Sequence, residues 1–298
     1  MRSLEIFVKV ADKGSMTAAA EALFITQPTV SQAISELERH YGTKLFDRLG
    51  KKLYITESGK RLLDYARHII ALQDEMELAM TDPEKKGMLR IGASVTIGTE
   101  LLPGLVKIFQ EKHRELRIHG VVKNTSDIEN LIQSNEIDFA LVEGTVNSKN
   151  IVVEPFMDDD VVLVCGRNHP LYGSKSVQLE ELLKYDFLVR EHGSGTRELF
   201  ASTMLLKNAV WNMIWECSGS DGIKAAAACG IGIGVLSHRL IEKEMCNGEL
   251  SILNVPGLKL NRKFSIIYHK NKYITDRMKE FFRLAKGCQG DGVVDTYL

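Results

Sequence analysis

Gly14-Ser15-Met16-Thr17-Ala18-Ala19-Ala20, leading through Ile25-Thr26-Gln27-Pro28 into Val30-Ser31-Gln32-Ala33-Ile34, is the stretch that decides how this chain is read. It predicts two short helices joined by a tight turn. Alanines give the first helix a face of small residues, which lets another helix backbone come close, and Leu23 closes its apolar stripe before the turn at Ile25. Thr26 is placed to cap the second helix, and Pro28 sits in its first turn, where a missing N–H costs nothing. Val30, Ile34 and Leu37 recur at helical spacing and point inward, leaving Gln27, Thr29, Ser31, Gln32 and Ser35 toward solvent. A short helix offering amides and hydroxyls but few charges suits base edges in a major groove, so DNA is the first partner to consider.

Working outward, Phe46-Asp47-Arg48-Leu49-Gly50-Lys51-Lys52-Leu53-Tyr54-Ile55-Thr56 predicts a two-stranded wing turning near Gly50, with Arg48, Lys51 and Lys52 at its tip. Between Arg39 and Arg61 there are seven Lys/Arg against two Asp/Glu, a local excess of five, in a chain whose net charge is -1. Positive charge is therefore concentrated on one small module, as phosphate contacts require. An alanine-rich helix pair is also a common packing device, and a bare helix-turn-helix pattern is a weak signal. Here the turn, the capped second helix, the basic wing and a long helix follow in order, which favours DNA over packing alone.

Ala18-Ala19, Leu23, Gln27-Pro28, Ser31, Leu37-Glu38, Gly42, Leu45-Phe46, Arg48, Thr56 and Gly59 stand in the pattern of LysR-type transcriptional regulators, and the chain resembles that family. It departs in Met16, where an aromatic is common, and in Asp47 beside the wing arginine. The residues expected to meet DNA are Gln27, Pro28, Thr29, Ser31 and Gln32 on the helix and Arg48, Lys51 and Lys52 on the wing. Ser31 and Gln32, with Gln27 and Thr29 nearby, are expected to read bases.

A chain of 298 residues is long enough for two domains or more. With 44% hydrophobic and 26% charged residues its composition is that of an ordinary soluble protein. No run approaches the roughly 18–20 apolar residues of a membrane span, and Met1-Arg2-Ser3-Leu4-Glu5 lacks the apolar core of a signal peptide, so a cytoplasmic protein without membrane contact is expected. Cys165, Cys217, Cys229, Cys246 and Cys288 are odd in number and form no CxxC pair. Neither a zinc site nor a disulfide framework is suggested, although two distant thiols forming a redox pair stays open. The eight histidines show no metal-ligand spacing, so no metal and no cofactor is expected.

From Thr56 the pattern becomes one long helix. Leu62, Ala66, Ile69, Gln73, Met76 and Met80 alternate in steps of four and three, the seam of a helix that pairs with another helix. A helix packed on its own domain is the competing reading. Dimerisation is preferred, because a module reading a two-fold site needs two copies at fixed separation. Asp82-Pro83-Glu84-Lys85-Lys86-Gly87 ends the helix and reads as a linker.

Beyond it the grammar is α/β. Met88–Ala93, Arg117–Lys123 and Phe139–Glu143 are strand candidates separated by helices over Leu101–His113 and Asp127–Ser134, a pattern that favours helices covering a mostly parallel sheet. A second series runs through Val161–Cys165, Phe187–Arg190, a helix after Gly195, Gly222–Cys229 and Ile233–Leu236, and ends with Phe264–His269 and Thr275–Lys286. The resemblance implies two lobes like those of a periplasmic binding protein, joined by crossovers near Asp158 to Asp160 and Lys263 to Ser265. The expected fold is α/β: a winged helix-turn-helix over 1–58, a linker helix and hinge over 59–87, and an effector domain over 88–298. Its lobe I spans about 88–160 and 265–298, and its lobe II about 161–264.

Clefts of this architecture hold ligands where strands end and helices begin. Four segments fit, and their convergence on one cleft is what the resemblance implies. Ser94 and Thr96 follow the first strand, Thr125 follows the second, and Ser220 and Asp221 precede the alanine-rich helix. Glu191-His192-Gly193-Ser194-Gly195-Thr196-Arg197 has the chemistry of an anion cradle, in which Ser194, Gly195 and Thr196 offer donors and Arg197 supplies charge. Each is also readable as a plain helix cap, and Arg197 as an internal salt bridge to Glu143 or Asp221. The Gly-Ser-Gly-Thr-Arg run is similar to family members that regulate sulfur assimilation and carbon dioxide fixation, which suggests a small anionic metabolite.

The expected protein is a one-component regulator. By resemblance, its winged modules bind an interrupted inverted-repeat operator in double-stranded DNA as a homodimer or homotetramer, contact RNA polymerase when activating, and change spacing when a small-molecule effector binds. An enzyme carrying a DNA module is the alternative from another class. No Ser/His/Asp order, metal cluster or phosphate loop supports it, and Gly230-Ile231-Gly232-Ile233-Gly234 is a lone glycine alternation. An effector-independent architectural DNA protein is the third reading, and it would not need some two hundred residues of α/β cleft.

Overall fold

Two hydroxyl caps set the first helices. The Ser15 side chain accepts from the Ala18 amide and the Thr26 side chain from the Thr29 amide. In the computed structural model, which describes residues 1–49, 52–81 and 88–288, they start α2 (Met16–Ala22) and α3 (Gln27–Tyr41), after α1 (Arg2–Lys13). The turn between them carries Phe24 at φ 55 and 96% exposed. The wing strands β1 (Phe46–Leu49) and β2 (Lys52–Ile55) pair antiparallel, and α4 (Glu57–Thr81) follows. Gly50, Lys51 and the linker 82–87 lie outside the described residues, as do the side chains of Arg48, Lys52 and Met80.

Phe7, Val10, Ala19, Val30, Ile34, Leu37, Leu45, Phe46 and Ala66 form the core of this N-terminal unit. Each large side chain buried there contributes roughly 1.5–3 kcal/mol. Glu38 ties the end of α3 to the wing: its carboxylate accepts from the Leu45 amide at 2.9 Å and from Lys44 Nζ at 2.7 Å. Thr56 Oγ1 donates to the Lys44 carbonyl and accepts from the Gly59 amide, fixing the start of α4. Two members of the expected seam are corrected here. Ala66 is fully buried in the N-terminal core, and Leu62 packs against that core. Among the described side chains of α4, the exposed large apolar residues are Tyr65, Ile69, Leu72 and Met76, spaced by four, three and four.

The chain divides into two compact units, the first made by residues up to 87 with the short segments Gln133–Asn135 and Asn271–Tyr273, the second by the remainder. Lobe I of the second unit runs through β3 (Met88–Ala93), α5 (Val95–Glu100), α6 (Leu102–Lys112), β4 (Arg117–Val122), α7 (Thr125–Gln133), β5 (Phe139–Glu143) and the start of β6 (Ile151–Gly166). Lobe II takes the rest of β6, then α8 (Leu179–Leu182), β7 (Asp186–Arg190), α9 (Gly195–Leu206), β8 (Asn212–Cys217), α10 (Ser220–Ala228), β9 (Ile233–Ser237), α11 (Glu242–Cys246) and β10 (Leu250–Ile252). The chain then returns to lobe I through β11 (Asn261–His269) and α12 (Asp276–Gly287).

Apolar runs become central strands because both of their faces are covered. In β5, Phe139 and Leu141 face the core shared with α5, α6 and α12, while Ala140 and Val142 face α7. In β7, Phe187 and Val189 face α9 and Leu188 faces α10. The strand order is β4-β3-β5-β11-β6-β9-β7-β8, with β10 on β6. Where a mostly parallel sheet was expected, only the β3 and β7 ladders are parallel, and β6 and β11 run antiparallel to their neighbours. The reason is that both crossovers are strand. β6 and β11 pair continuously from Ile151↔His269 to Asp160↔Asn261, after which β6 enters the lobe II ladder. The lobes are thus joined by a two-stranded ribbon, with an irregularity between Phe264 and Ser265.

Candidate functional site

On α3, Gln27, Pro28, Thr29 and Gln32 are exposed and Ser31 is half-exposed, while Val30, Ala33, Ile34 and Leu37 are buried. The Thr26 and Thr29 hydroxyls bond each other at 2.9 Å, and Gln32 Nε2 donates to Glu36 Oε1 at 3.1 Å. These amide and hydroxyl groups lie on one exposed helix face, and exchanging such intrahelical bonds for base edges is what readout uses. Lys51, with the side chains of Arg48 and Lys52, lies outside the described residues.

In the second unit two of the predicted hydroxyls, those of Ser94 and Thr96, meet on the protein's own carboxylate. Glu143 ends β5 and is buried. Its carboxylate accepts from Ser94 Oγ at 2.7 Å and from Thr96 Oγ1 at 3.0 Å, and Thr125 Oγ1 donates to its backbone carbonyl at 2.8 Å. From lobe II, Thr196 Oγ1 accepts from Arg262 Nη1 at 2.9 Å. Arg262, on β11, donates through Nε to Asp159 Oδ2 at 2.7 Å, and Ser237 Oγ donates to Asp159 Oδ1 at 2.7 Å. Arg262 Nη1 stands 3.9 Å from Glu143 Oε1, so one guanidinium on the joining ribbon links both lobes. Burial pushes the Asp159 carboxyl above its ordinary value and the nearby Glu143 charge adds to this, while Arg262 and Ser237 oppose it.

Backbone contact closes the same corner. A Cβ on Gly195 would lie 2.2 Å from the Glu143 carbonyl oxygen, and one on Gly144, at φ 90, would lie 2.7 Å from the Gly195 Cα. Both positions therefore exclude a side chain. The Ser126 amide donates to the Gly193 carbonyl at 3.1 Å, a second lobe-to-lobe bond. Beside this closed corner lies a cavity of about 660 Å³. Lobe I supplies Thr125, Ser126, Glu129 and Gly144 to its wall, lobe II supplies Gly193, Gly195, Glu198 and Ser202, and the ribbon supplies Asn261, Arg262 and Lys263. Glu129 is held by the Asn147 and Ser148 amides at 3.2 and 2.7 Å and fixes the loop on that wall.

Thr125 and Gly195 line the cavity, whereas Ser94, Thr96 and Thr196 belong to the buried network beside it. Ser194 is buried at the start of α9, with Oγ lacking a hydrogen-bond partner. Two expectations need correction. Arg197 bonds the Glu216 carboxylate and, at 3.3 Å, the Arg190 carbonyl, so its partner is neither Glu143 nor Asp221 and its charge is already engaged. Asp221 is exposed and paired with Lys224 at 3.1 Å, while the buried Ser220 hydroxyl lies 3.5 Å from Arg190 Nη1. Sequence reading named Glu143 only as a partner for Arg197, and it missed Asp159 and Arg262. A carboxylate closing the apolar run Phe139–Glu143 was the one visible sign, and nothing in the spacing joins residues more than a hundred positions apart.

Residues 1–60 match the family model described as a bacterial regulatory helix-turn-helix protein of the lysR family, and residues 83–288 match the LysR substrate binding domain. The uncharacterized HTH-type transcriptional regulator YeiE of Escherichia coli (strain K12) is 34% identical over 281 residues, covering 94% of this chain and 95% of that protein. The HTH-type transcriptional activator CmpR of Synechocystis sp. (strain ATCC 27184 / PCC 6803 / Kazusa) is 34% identical over 280 residues, covering 92% and 91%. Among solved structures, the Synechocystis PCC6803 CcmR regulatory domain in complex with 2-PG superposes with a TM-score of 0.64 at 26% identity, over 70% of this chain and 99% of that one.

Proposed function

This chain belongs to the LysR family of bacterial transcriptional regulators, and on that premise we propose that a small, anionic metabolite bound between its two α/β lobes switches how its winged modules sit on DNA. It is a DNA-binding regulator with an effector-binding domain, and the relatives it matches are named as regulators rather than enzymes. The observation that carries the switch is the cavity of about 660 Å³ walled by both lobes and by the ribbon that joins them. A molecule filling it touches both lobes, so its affinity depends on their angle, and only such a difference can shift an equilibrium.

The operator is read by Gln27, Thr29, Ser31 and Gln32, with Pro28 setting the helix start and Arg48, Lys51 and Lys52 holding phosphates. The working form is a homodimer or homotetramer in the cytoplasm on an interrupted inverted repeat, and activation involves RNA polymerase. No described helix is long and apolar enough to cross a membrane. The test is binding of the full chain to DNA upstream of its own coding gene, with 2-PG as the probe because the CcmR domain is described with it. Gln32→Ala is expected to flatten the ranking of operator variants, since a good bidentate base contact is worth about 1–3 kcal/mol. In parent protein the probe is expected to change the protected length of DNA. An unchanged ranking overturns the recognition face, and a footprint indifferent to 2-PG and to a wider set of small anions overturns the switch.

A further inference from the structure

Two carboxylates and one guanidinium are packed together where the chain first passes from lobe I to lobe II. Asp159 and Arg262 face each other across β6 and β11, one position before that pairing ends and Val161 joins Ser237 in the lobe II ladder. Glu143, at the end of β5, pairs with Phe264 on the other side of β11. All three side chains are withdrawn from solvent, with 0% of Asp159, 2% of Glu143 and 3% of Arg262 exposed.

The guanidinium is shared unequally. Arg262 Nε donates to Asp159 and Nη1 to Thr196, while Glu143 stays 3.9 Å from Nη1 and takes hydroxyls from Ser94 and Thr96 instead. With both acids ionised, the cluster holds two negative charges against one fully buried positive charge. Arg239, which follows β9, also faces it at 3.8 Å from Asp159 Oδ1, but its side chain is one-third exposed and lies over the Phe264 ring. The remaining charges nearby face solvent. Asp158 and Asp160 are exposed, the first paired with Lys263 and the second bonded by Asn261, and His238 lies at the surface 4.0 Å from Glu242.

Excess charge in a low-dielectric site is costly, and a bound proton relieves it. Asp159 is placed to hold that proton. Its Oδ1 meets Ser237 Oγ at 2.7 Å, and a hydroxyl accepts as well as donates, so a proton on Oδ1 preserves the contact. At Glu143, by contrast, the Ser94 hydroxyl already accepts from the Glu143 amide, which commits its own proton to Oε2. Lobe II covers the cluster where the lobes meet, since Thr196 takes Arg262 Nη1 and Gly195 packs against the Glu143 carbonyl. When these contacts part, water reaches the carboxylates and the excess charge is no longer confined. We propose that the corner is a proton-linked latch, in which Asp159 takes up a proton on Oδ1 as the lobes meet and returns it to solvent as they part. Burial holds the Asp159 carboxyl above its ordinary 3.8, so the closed corner binds the proton more tightly than the open one. Closure is therefore favoured by acid and lost as pH rises through the raised value. No bound molecule is needed for this.

The experiment places spin labels at Lys107 on α6 and Lys243 on α11 of the full chain, in a background without the exposed Cys229 and Cys246, and follows the lobe separation from about pH 5 to about pH 8. In the parent a longer component is expected to grow as pH rises. Asp159→Asn removes the excess charge and keeps a polar atom for Ser237, so the shorter distance is expected throughout. Glu143→Gln leaves Asp159 and Arg262 balanced and is expected to shrink the pH response. A merely structural role for these carboxylates would open the corner at every pH instead. A parent distance indifferent to pH, a parent-like pH response in Asp159→Asn, or a corner open at every pH in both variants overturns the latch. Should Asp159→Asn fail to fold, Glu143→Gln decides alone, and a response equal to the parent's counts against the proposal.

Discussion

Glu38 shows how one side chain organises a module. Burial raises its carboxyl, but Lys44 and the Leu45 and Phe46 amides outweigh that and hold it below the ordinary 4.5. A folded value below the unfolded one means the stabilisation is complete above pH 4.5 and is lost as pH falls through the folded value. Glu38→Ala is therefore expected to cost about 1.5–3 kcal/mol at neutral pH and to remove that acid dependence. Hydrogen exchange of a peptide spanning Leu45 and Phe46 reads both effects, and parent-like protection in the variant would refute them. At this scale the sequence was legible where chemistry is local. Thr26 and Thr56 cap because a hydroxyl three residues before an amide reaches it. It was illegible at Arg262, whose partners Asp159, Thr196 and Glu143 come from three other elements.

α4 shows how an element is read correctly in kind while two of its residues, Leu62 and Ala66, turn to another face. The periodicity gave the helix, but its first turns serve the N-terminal core, which takes Leu62 and Ala66 inward. Tyr65, Ile69, Leu72 and Met76 remain as the exposed stripe, 44–57% exposed. A stripe at steps of four, three and four suits a partner helix. Ile69→Asp places a charge in that stripe and is expected to leave a monomer in light scattering, with DNA affinity falling to that of one module. A variant that stays fully dimeric would rule the stripe out as the seam. The β6–β11 ribbon carries the same lesson, since the first half of β6 mixes buried, half-buried and exposed residues and escapes a search for continuous apolar runs.

Across the second unit, Gly144 and Gly195 let the two lobes meet backbone to backbone. Gly195→Ala sets a methyl 2.2 Å from the Glu143 carbonyl oxygen, a distance no relaxation of a side chain relieves because the obstacle is backbone. The lobes are expected to rotate apart. Spin labels at Lys107 on α6 and Lys243 on α11, in a background without the exposed Cys229 and Cys246, would report a longer distance. An unchanged distance distribution would show that the closed corner does not set the lobe angle. With the closed state disfavoured, a ligand needing it pays a conformational penalty and binds more weakly in proportion to the population lost.

The sequence alone determined what depends on neighbours along the chain: capped helices of the winged module, apolar periods of strands and helices, and the family pattern that announces a two-lobed effector domain. Those features follow from spacing, and spacing survives without coordinates. Only the tertiary structure decided which hydroxyls meet which charges. Ser94 and Thr96 were expected to wait for a ligand and instead hold Glu143, while Arg197 pairs with Glu216. The physical reason is that a buried polar group must find a partner or remain costly, and which partner it finds depends on the joining ribbon bringing distant strands together.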